Sequence, residues 1–221
     1  MNFTDNDITI DISNFDEKMT MTFEKIDENT IHVKTTTETG KTYSLTYNNT
    51  QSYFELNGER GEIYLEEFYD ENEALIANSA NLSARYVPTP EGGATSIVYV
   101  STSKLHFSKN VSSLGALVTV VGGILGAAYL TGFSIAKSDI SGKISAWFSV
   151  IGMALYFSTA KSDGYWQYST YRSKNKVNTG YGKLLYQYRY QNAKLNFKLG
   201  KNTFDKSFSN IGSWWFAEKP Y

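Results

Sequence analysis

From Val111 to Ala136 the chain runs for twenty-six residues without a charged side chain, VSSLGALVTVVGGILGAAYLTGFSIA. Such a run has to leave water, either inside a protein core or inside a bilayer. A helix needs about 20 apolar residues to cross a hydrocarbon layer of about 30 Å. At about 1.5 Å of rise per residue, residues 114–136 reach roughly 35 Å. A second uncharged run, ISAWFSVIGMALYFSTA at 144–160, lies between Lys143 and Lys161 and reaches roughly 26 Å. The polar heptapeptide KSDISGK joins the two. The pattern predicts a central, glycine-rich, apolar helical hairpin over 111–161.

The small residues give that hairpin a face. Gly115, Thr119, Gly123 and Ala127 recur every four residues, and Gly122 and Gly126 form a GxxxG beside them. Small side chains let backbones approach closely in lipid, where packing drives association. In water each glycine costs about 0.5–1 kcal/mol against alanine. These six are therefore the expected membrane-inserting and helix-packing residues. A hairpin buried inside the protein is the alternative reading of the same run.

The flanks read as β. DITIDI and MTMTFEKI alternate, and NTIHVKTTTETGKTYSLTY and SYFELNGERGEIYLEEF carry turns at Gly40 and at Asn57-Gly58, the strand and hairpin signature. A short helix is expected within 70–86, a Pro/Gly linker at 87–95 and a further strand at 96–107. In LLYQYRYQNAKLNFKLGK, Tyr186, Tyr188 and Tyr190 share one face. Leu195, Phe197 and Leu199 share another beyond an expected turn at Asn192-Ala193. The fold class is α+β, with an antiparallel β N-terminal domain, the central hairpin and a C-terminal β-hairpin region. The expected domains are an acidic 1–93 and a basic 94–221, the latter ending in an aromatic, cationic tail at 162–221.

Charge divides the same way. Residues 1–110 hold 18 Asp and Glu against 8 Lys and Arg, whereas 111–221 hold 4 against 13. Beside an apolar hairpin, Lys161, Arg172, Lys174, Lys176, Lys183 and Arg189 read as contacts to anionic lipid. Trp147, Tyr156, Trp166, Trp214 and Trp215 read as interfacial aromatics. Cations mixed with aromatics also suit single-stranded nucleic acid, but next to this run lipid is the expected partner and nucleic acid is not. With no cysteine and only His32 and His106, thiolate and multi-histidine metal sites and a cysteine nucleophile are excluded. Catalytic motifs are missing, so no enzyme and no cofactor or metal is expected. The acidic N-terminus lacks the basic and apolar regions of a secretory signal.

The stretch LGALVTVVGGILGAAYLTGF, followed by a cationic tail rich in Tyr and Trp, resembles the membrane-active segments of Gram-positive bacteriocins, of the larger, leader-lacking, geobacillin-like type. The resemblance covers about 95–221 and rests on composition and order. GYGKLLY is only superficially similar to the box of pediocin-like peptides, whose paired cysteines are absent here. PTPEGGA is similar to a double-glycine processing site, cut after Gly93, although Pro90 stands where an apolar residue is usual. The resemblance implies an antibacterial, membrane-disrupting or pore-forming protein, secreted without a standard signal peptide and acting at a target-cell membrane. Self-association and an immunity protein or receptor are the further partners it implies. Two alternatives stand beside it: a resident two-span protein of the bacterial membrane, in an immunity or accessory role, and a soluble binding module with a buried hairpin.

Overall fold

The computed structural model describes residues 7–12, 17–82, 84–87, 96–133, 141–149, 160–209 and 211–221. Seven strands come first: β1 (Asp7–Ile12), β2 (Glu17–Lys25), β3 (Thr30–Thr37), β4 (Thr42–Asn48), β5 (Tyr53–Leu56), β6 (Glu59–Tyr69) and β7 (Ile97–Val111). Helix α1 (Ala74–Ser79) lies between β6 and β7, and α2 (Leu114–Leu130) follows β7. The chain closes with β8 (Ala160–Ser173), β9 (Val177–Asn178), β10 (Leu184–Leu185), β11 (Gln187–Leu199), β12 (Asn202–Phe208) and β13 (Trp215–Phe216). One sheet has the order β1-β2-β3-β4-β5-β6-β7-β8-β11-β12, with β13 beside β11, and β9 and β10 pair separately.

The chain divides into two compact units built from interleaved stretches. Unit 1 comprises residues 1–65, 105–166 and 195–206, and unit 2 comprises 66–104, 167–194 and 207–221. The acidic strands β1–β5 thus share a unit with the apolar helix. Of the expected linker at 87–95, residues 88–95, with the processing position Gly93, lie outside the described residues.

In unit 1 the antiparallel meander follows from the alternation of the sequence. Ile8, Ile10 and Ile12 on β1, Met19, Met21 and Phe23 on β2, and Ile31 and Val33 on β3 all turn inward. Register pairs Ile10 with Met19 and Phe23 with Val33. Asn57 and Gly58 both adopt positive φ, 51° and 81°, as a two-residue hairpin of the primed type requires.

Helix α2 corrects the expected hairpin. It spans 17 residues, about 26 Å, and among the described residues no helix is long and apolar enough to cross a membrane. Its ends are set by caps that hydropathy does not register. The Ser113 side chain accepts from the Ala116 N–H at the start. At the other end Gly132 takes φ 86°, its N–H bonds Tyr129 O at 2.8 Å, and the Phe133 N–H reaches Ala128 O, a Schellman ending. Val111, the first residue of the expected hairpin, already belongs to β7, and Ala160 and Lys161 belong to β8. Residues 141–149 are helical, and 150–159 lie outside the described residues.

The partner of α2 is the sheet. A Cβ on Gly115 would overlap the Tyr43 ring. One on Gly122 would meet Met21 and, at 2.7 Å, Val33. One on Gly123 would sit 2.8 Å from Leu45, and one on Gly126 3.0 Å from Ile31. The glycine face therefore receives side chains from β2, β3 and β4. Every residue from Leu114 to Ala128 is buried, so the helix is enclosed on all sides. On the side of β8 and β11, Gly164 leaves room for Ile124 and Phe197. The segment 141–149 also packs within this unit. Ser145 Oγ accepts from the Asp11 N–H at 3.1 Å, and Trp147 lies 6.0 Å from Phe197 and 6.1 Å from Phe204, ring to ring.

The C-terminal hairpin turn also falls elsewhere. Asn192 has φ 55°, but β11 runs through it without a break. The buried positions change there from Tyr188 and Tyr190 to Ala193, Leu195, Phe197 and Leu199. One residue with positive φ shifts the pleat by one, as a bulge does. The reversal comes at Gly200, φ 57°, between β11 and β12.

Candidate functional site

The six small residues assigned to lipid packing, Gly115, Thr119, Gly122, Gly123, Gly126 and Ala127, are all buried in unit 1. Thr119 Oγ1 donates to Gly115 O at 2.6 Å, so even its hydroxyl is satisfied within the helix. The cations are dispersed. Lys161 is exposed in unit 1 and lies 3.7 Å from Asp163. Arg172, Lys174, Lys176, Lys183 and Arg189 fall in unit 2.

Arg172 is not a surface cation. It is 6% exposed, and its Nη2 donates to Glu73 Oε1 at 2.8 Å while Nε donates to Oε2, a two-point fork. Nη1 donates to Ser173 O and Lys174 O, and the guanidinium lies 4.3 Å from the centre of the Tyr186 ring. Burial works against its charge, but the bond to Glu73 and its field outweigh burial and hold the guanidinium above its ordinary pKa. Glu73 precedes α1, so this pair ties the acidic half of the sequence to the basic half. Arg189 stacks over Trp214 at 4.5 Å, and burial lowers its pKa.

Of the aromatics assigned to an interface, Trp166 and Trp215 are buried. Trp166 Nε1 donates to Thr131 Oγ1 at 3.1 Å, and Trp215 stacks on Tyr188 at 5.1 Å. Trp147 and Trp214 are half-buried. Tyr156 lies outside the described residues.

What unit 2 does present is a patch in which Lys183, named from the sequence, stands with Tyr181, Leu184, Lys219 and Tyr221, which were not. Between β9 and β10 the run TGYGK forms a tight turn with Gly180 and Gly182 at φ 82° and 83°. It carries Tyr181 and Leu184, 63% and 60% exposed. The C-terminal segment lies against it. Tyr221, 62% exposed, meets Tyr181 edge-on at 5.8 Å. Thr179 Oγ1 donates to Pro220 O, and Lys183 Nζ donates to Lys219 O and Tyr221 O. Lys219 Nζ is 4.6 Å from the centre of the Tyr221 ring. Three exposed apolar or aromatic side chains thus stand among Lys183 and Lys219, with Lys174 and Lys176, both exposed, on the connection into β9. The glycines of TGYGK were readable as a turn. That the chain end would pack on it was not, because the contact joins residues about forty positions apart.

Beside the patch, a cleft of about 270 Å³ is lined by Ile76, Ser79, Ala80, Lys176, Leu185, Tyr186, Tyr188, Ala217 and Glu218. Burial pushes the Tyr188 hydroxyl up to about 12; Arg172 opposes that shift, and Glu218 and Glu73 add to it. Tyr69, also in unit 2, is pushed up to about 12 by burial and by Glu67, whose carboxylate accepts from the Tyr69 hydroxyl at 3.0 Å. Among the described residues no group of three or more His, Cys, Asp and Glu could hold a metal ion. Comparison with protein-family models, with curated proteins and with solved structures finds no match for this chain.

Proposed function

We propose that the chain is a binding protein of anionic membrane surfaces and that unit 2 makes the contact. The observation that carries this reading is the patch of Tyr181, Leu184 and Tyr221 beside Lys183 and Lys219, with Lys174 and Lys176 exposed on the connection into β9. Tyrosine and leucine suit the headgroup boundary, where an apolar body and a polar tip are both accommodated. Each lysine near an anionic surface adds about 1 kcal/mol. Helix α2 takes no part: it is the enclosed core of unit 1, and its glycines are occupied by sheet side chains.

The test is sedimentation with vesicles of phosphatidylglycerol against vesicles of phosphatidylcholine. Binding to the anionic vesicles should weaken as salt shortens the Debye length. Replacing Lys174, Lys183 and Lys219 together by glutamine removes about 3 kcal/mol, so affinity should fall about 100-fold. Equal binding to both lipids, unchanged binding by the triple variant, or a preference for single-stranded nucleic acid over either vesicle would overturn the reading.

A further inference from the structure

We infer that the cleft lined by Ile76, Lys176, Leu185, Tyr186, Tyr188, Ala217 and Glu218 is a site for a small zwitterion of the amino-acid type. The inference does not rest on the membrane reading, although the two share Lys176. Its starting point is two opposite charges on one concave wall: Lys176 and Glu218 both line the cleft, both are exposed, and among the described residues no ion pair joins them. A ligand with an ammonium and a carboxylate would answer both charges in one orientation, with its carboxylate toward Lys176 and its ammonium toward Glu218. The rest of the wall is mixed: half-buried Ile76, Leu185 and Tyr186 give it apolar and ring surface for a short aliphatic side chain, and the almost fully buried Tyr188 and Ala217 back it.

The walls are held before any ligand arrives. The Tyr186 ring lies against the Arg172 guanidinium, which the two-point fork to Glu73 fixes. Tyr188 is 2% exposed and is stacked on Trp215, with 24° between the rings. Ser79 Oγ donates to Ile76 O at 2.8 Å and fixes the end of α1. A site held this way loses little freedom on binding. At about 270 Å³ the cleft falls below the range of about 300–1,000 Å³ typical of drug-sized ligands. That limits the occupant to the size of an amino acid or a very short peptide.

The experiment is a titration of the full chain, carbon-labelled at its methyl groups, with L-leucine, N-acetyl-leucine and leucine amide. The last two keep the side chain but retain only the anion or only the cation. The methyl signals of Ile76, Ala80, Leu185 and Ala217 should shift and saturate with leucine, and each blocked compound should bind at least tenfold more weakly. Lys176→Gln should erase the advantage of leucine over leucine amide, and Glu218→Gln its advantage over N-acetyl-leucine. Both residues are exposed, so the variants keep the fold, and an unchanged methyl spectrum without ligand checks it. Absence of saturable shifts up to the solubility of leucine would overturn the assignment, as would blocked compounds that bind as well as leucine. Vesicle binding, measured separately, has no bearing on either result.

Discussion

Adding one methyl group at each glycine of α2 separates packing against the sheet from every account based on hydrophobicity alone. Gly→Ala inside a helix gains about 1 kcal/mol of propensity. Against that gain stands the cost of overpacking, about 1–3 kcal/mol where neighbours cannot move. At Gly126 the new Cβ would sit 3.0 Å and 3.3 Å from two carbons of Ile31, and a shift of a few tenths of an ångström relieves it. Gly126→Ala should be neutral to within about 1 kcal/mol, since propensity and crowding nearly cancel. At Gly115 the methyl would fall on the buried Tyr43 ring, so the upper end of the range applies and about 2 kcal/mol should be lost net. Gly123→Ala, 2.8 Å and 2.9 Å from the two Leu45 methyls, should lie between. At this chain length about 1 kcal/mol moves Tm by about 2–4 °C, so Gly115→Ala should melt about 4–8 °C below the parent. The assay is thermal melting followed by circular dichroism. Leu45→Val in the Gly123→Ala background should restore part of the loss, with a coupling of about 1 kcal/mol. A melting point for Gly115→Ala at or above that of the parent would refute sheet packing, as would a common upward shift of all the variants.

The strands of unit 1 were legible because one face is buried and the other solvated, so apolar residues alternate. Ile8, Ile10 and Ile12 report their side by period alone. The turns at Gly40 and Asn57-Gly58 were legible because positive φ selects glycine and asparagine. The environment of α2 was not legible. A helix enclosed by protein on all sides and a helix enclosed by lipid both have to be apolar all round, and glycines that admit a neighbouring helix also admit Leu45 or Val33. Its length was written in Ser113 and Gly132, which end the helix inside the uncharged run, and counting charges passes over caps. Arg172 shows the opposite failure. Its neighbours Lys174 and Lys176 are exposed, and the carboxylate that balances its buried charge, Glu73, lies ninety-nine positions away. Asn192 misled for a reason of conformation: positive φ marks a bulge as readily as a turn, and local sequence does not separate them. The patch and the cleft of unit 2 both depend on residues 217–221 meeting segments about 30 or more positions earlier, a pairing that no short window contains.

Three further outcomes follow from the same contacts. Arg172→Ala should lose about 3–5 kcal/mol, because it leaves Glu73 charged and buried. Adding Glu73→Gln to Arg172→Met should cost less than Arg172→Met alone, and urea denaturation reads both; additive losses would mean that the fork is not coupled. Tyr69 and Tyr188 have folded pKa values of about 12, above the ordinary 10. Whatever stability their raised pKa confers is present in full below pH 10 and is lost as pH rises from 10 to 12. Tyrosinate absorbance should therefore show these two rings among the late-titrating tyrosines, alongside Tyr168 and Tyr190, which burial also raises, and Tyr188→Phe should remove one late group; a single titration of all the tyrosines near 10 in the folded protein would be the contrary result. The last outcome concerns whether α2 stays in place at a membrane. The chain has no cysteine, so Gly123→Cys with Leu45→Cys introduces a lone pair of thiols on facing positions of helix and sheet, where a Cβ on Gly123 would lie 3.5 Å from Leu45 Cγ, the atom whose place the new sulfur takes. If unit 2 makes the lipid contact, the oxidised protein should bind phosphatidylglycerol vesicles as tightly as the reduced one, since nothing in unit 1 has to open. A mechanism in which α2 leaves the sheet requires the bridge to abolish binding or leakage and reduction to restore it, because α2 cannot reach lipid while Cys at 123 holds Cys at 45. That result would move the site of action from the exposed lysines of unit 2 to the helix.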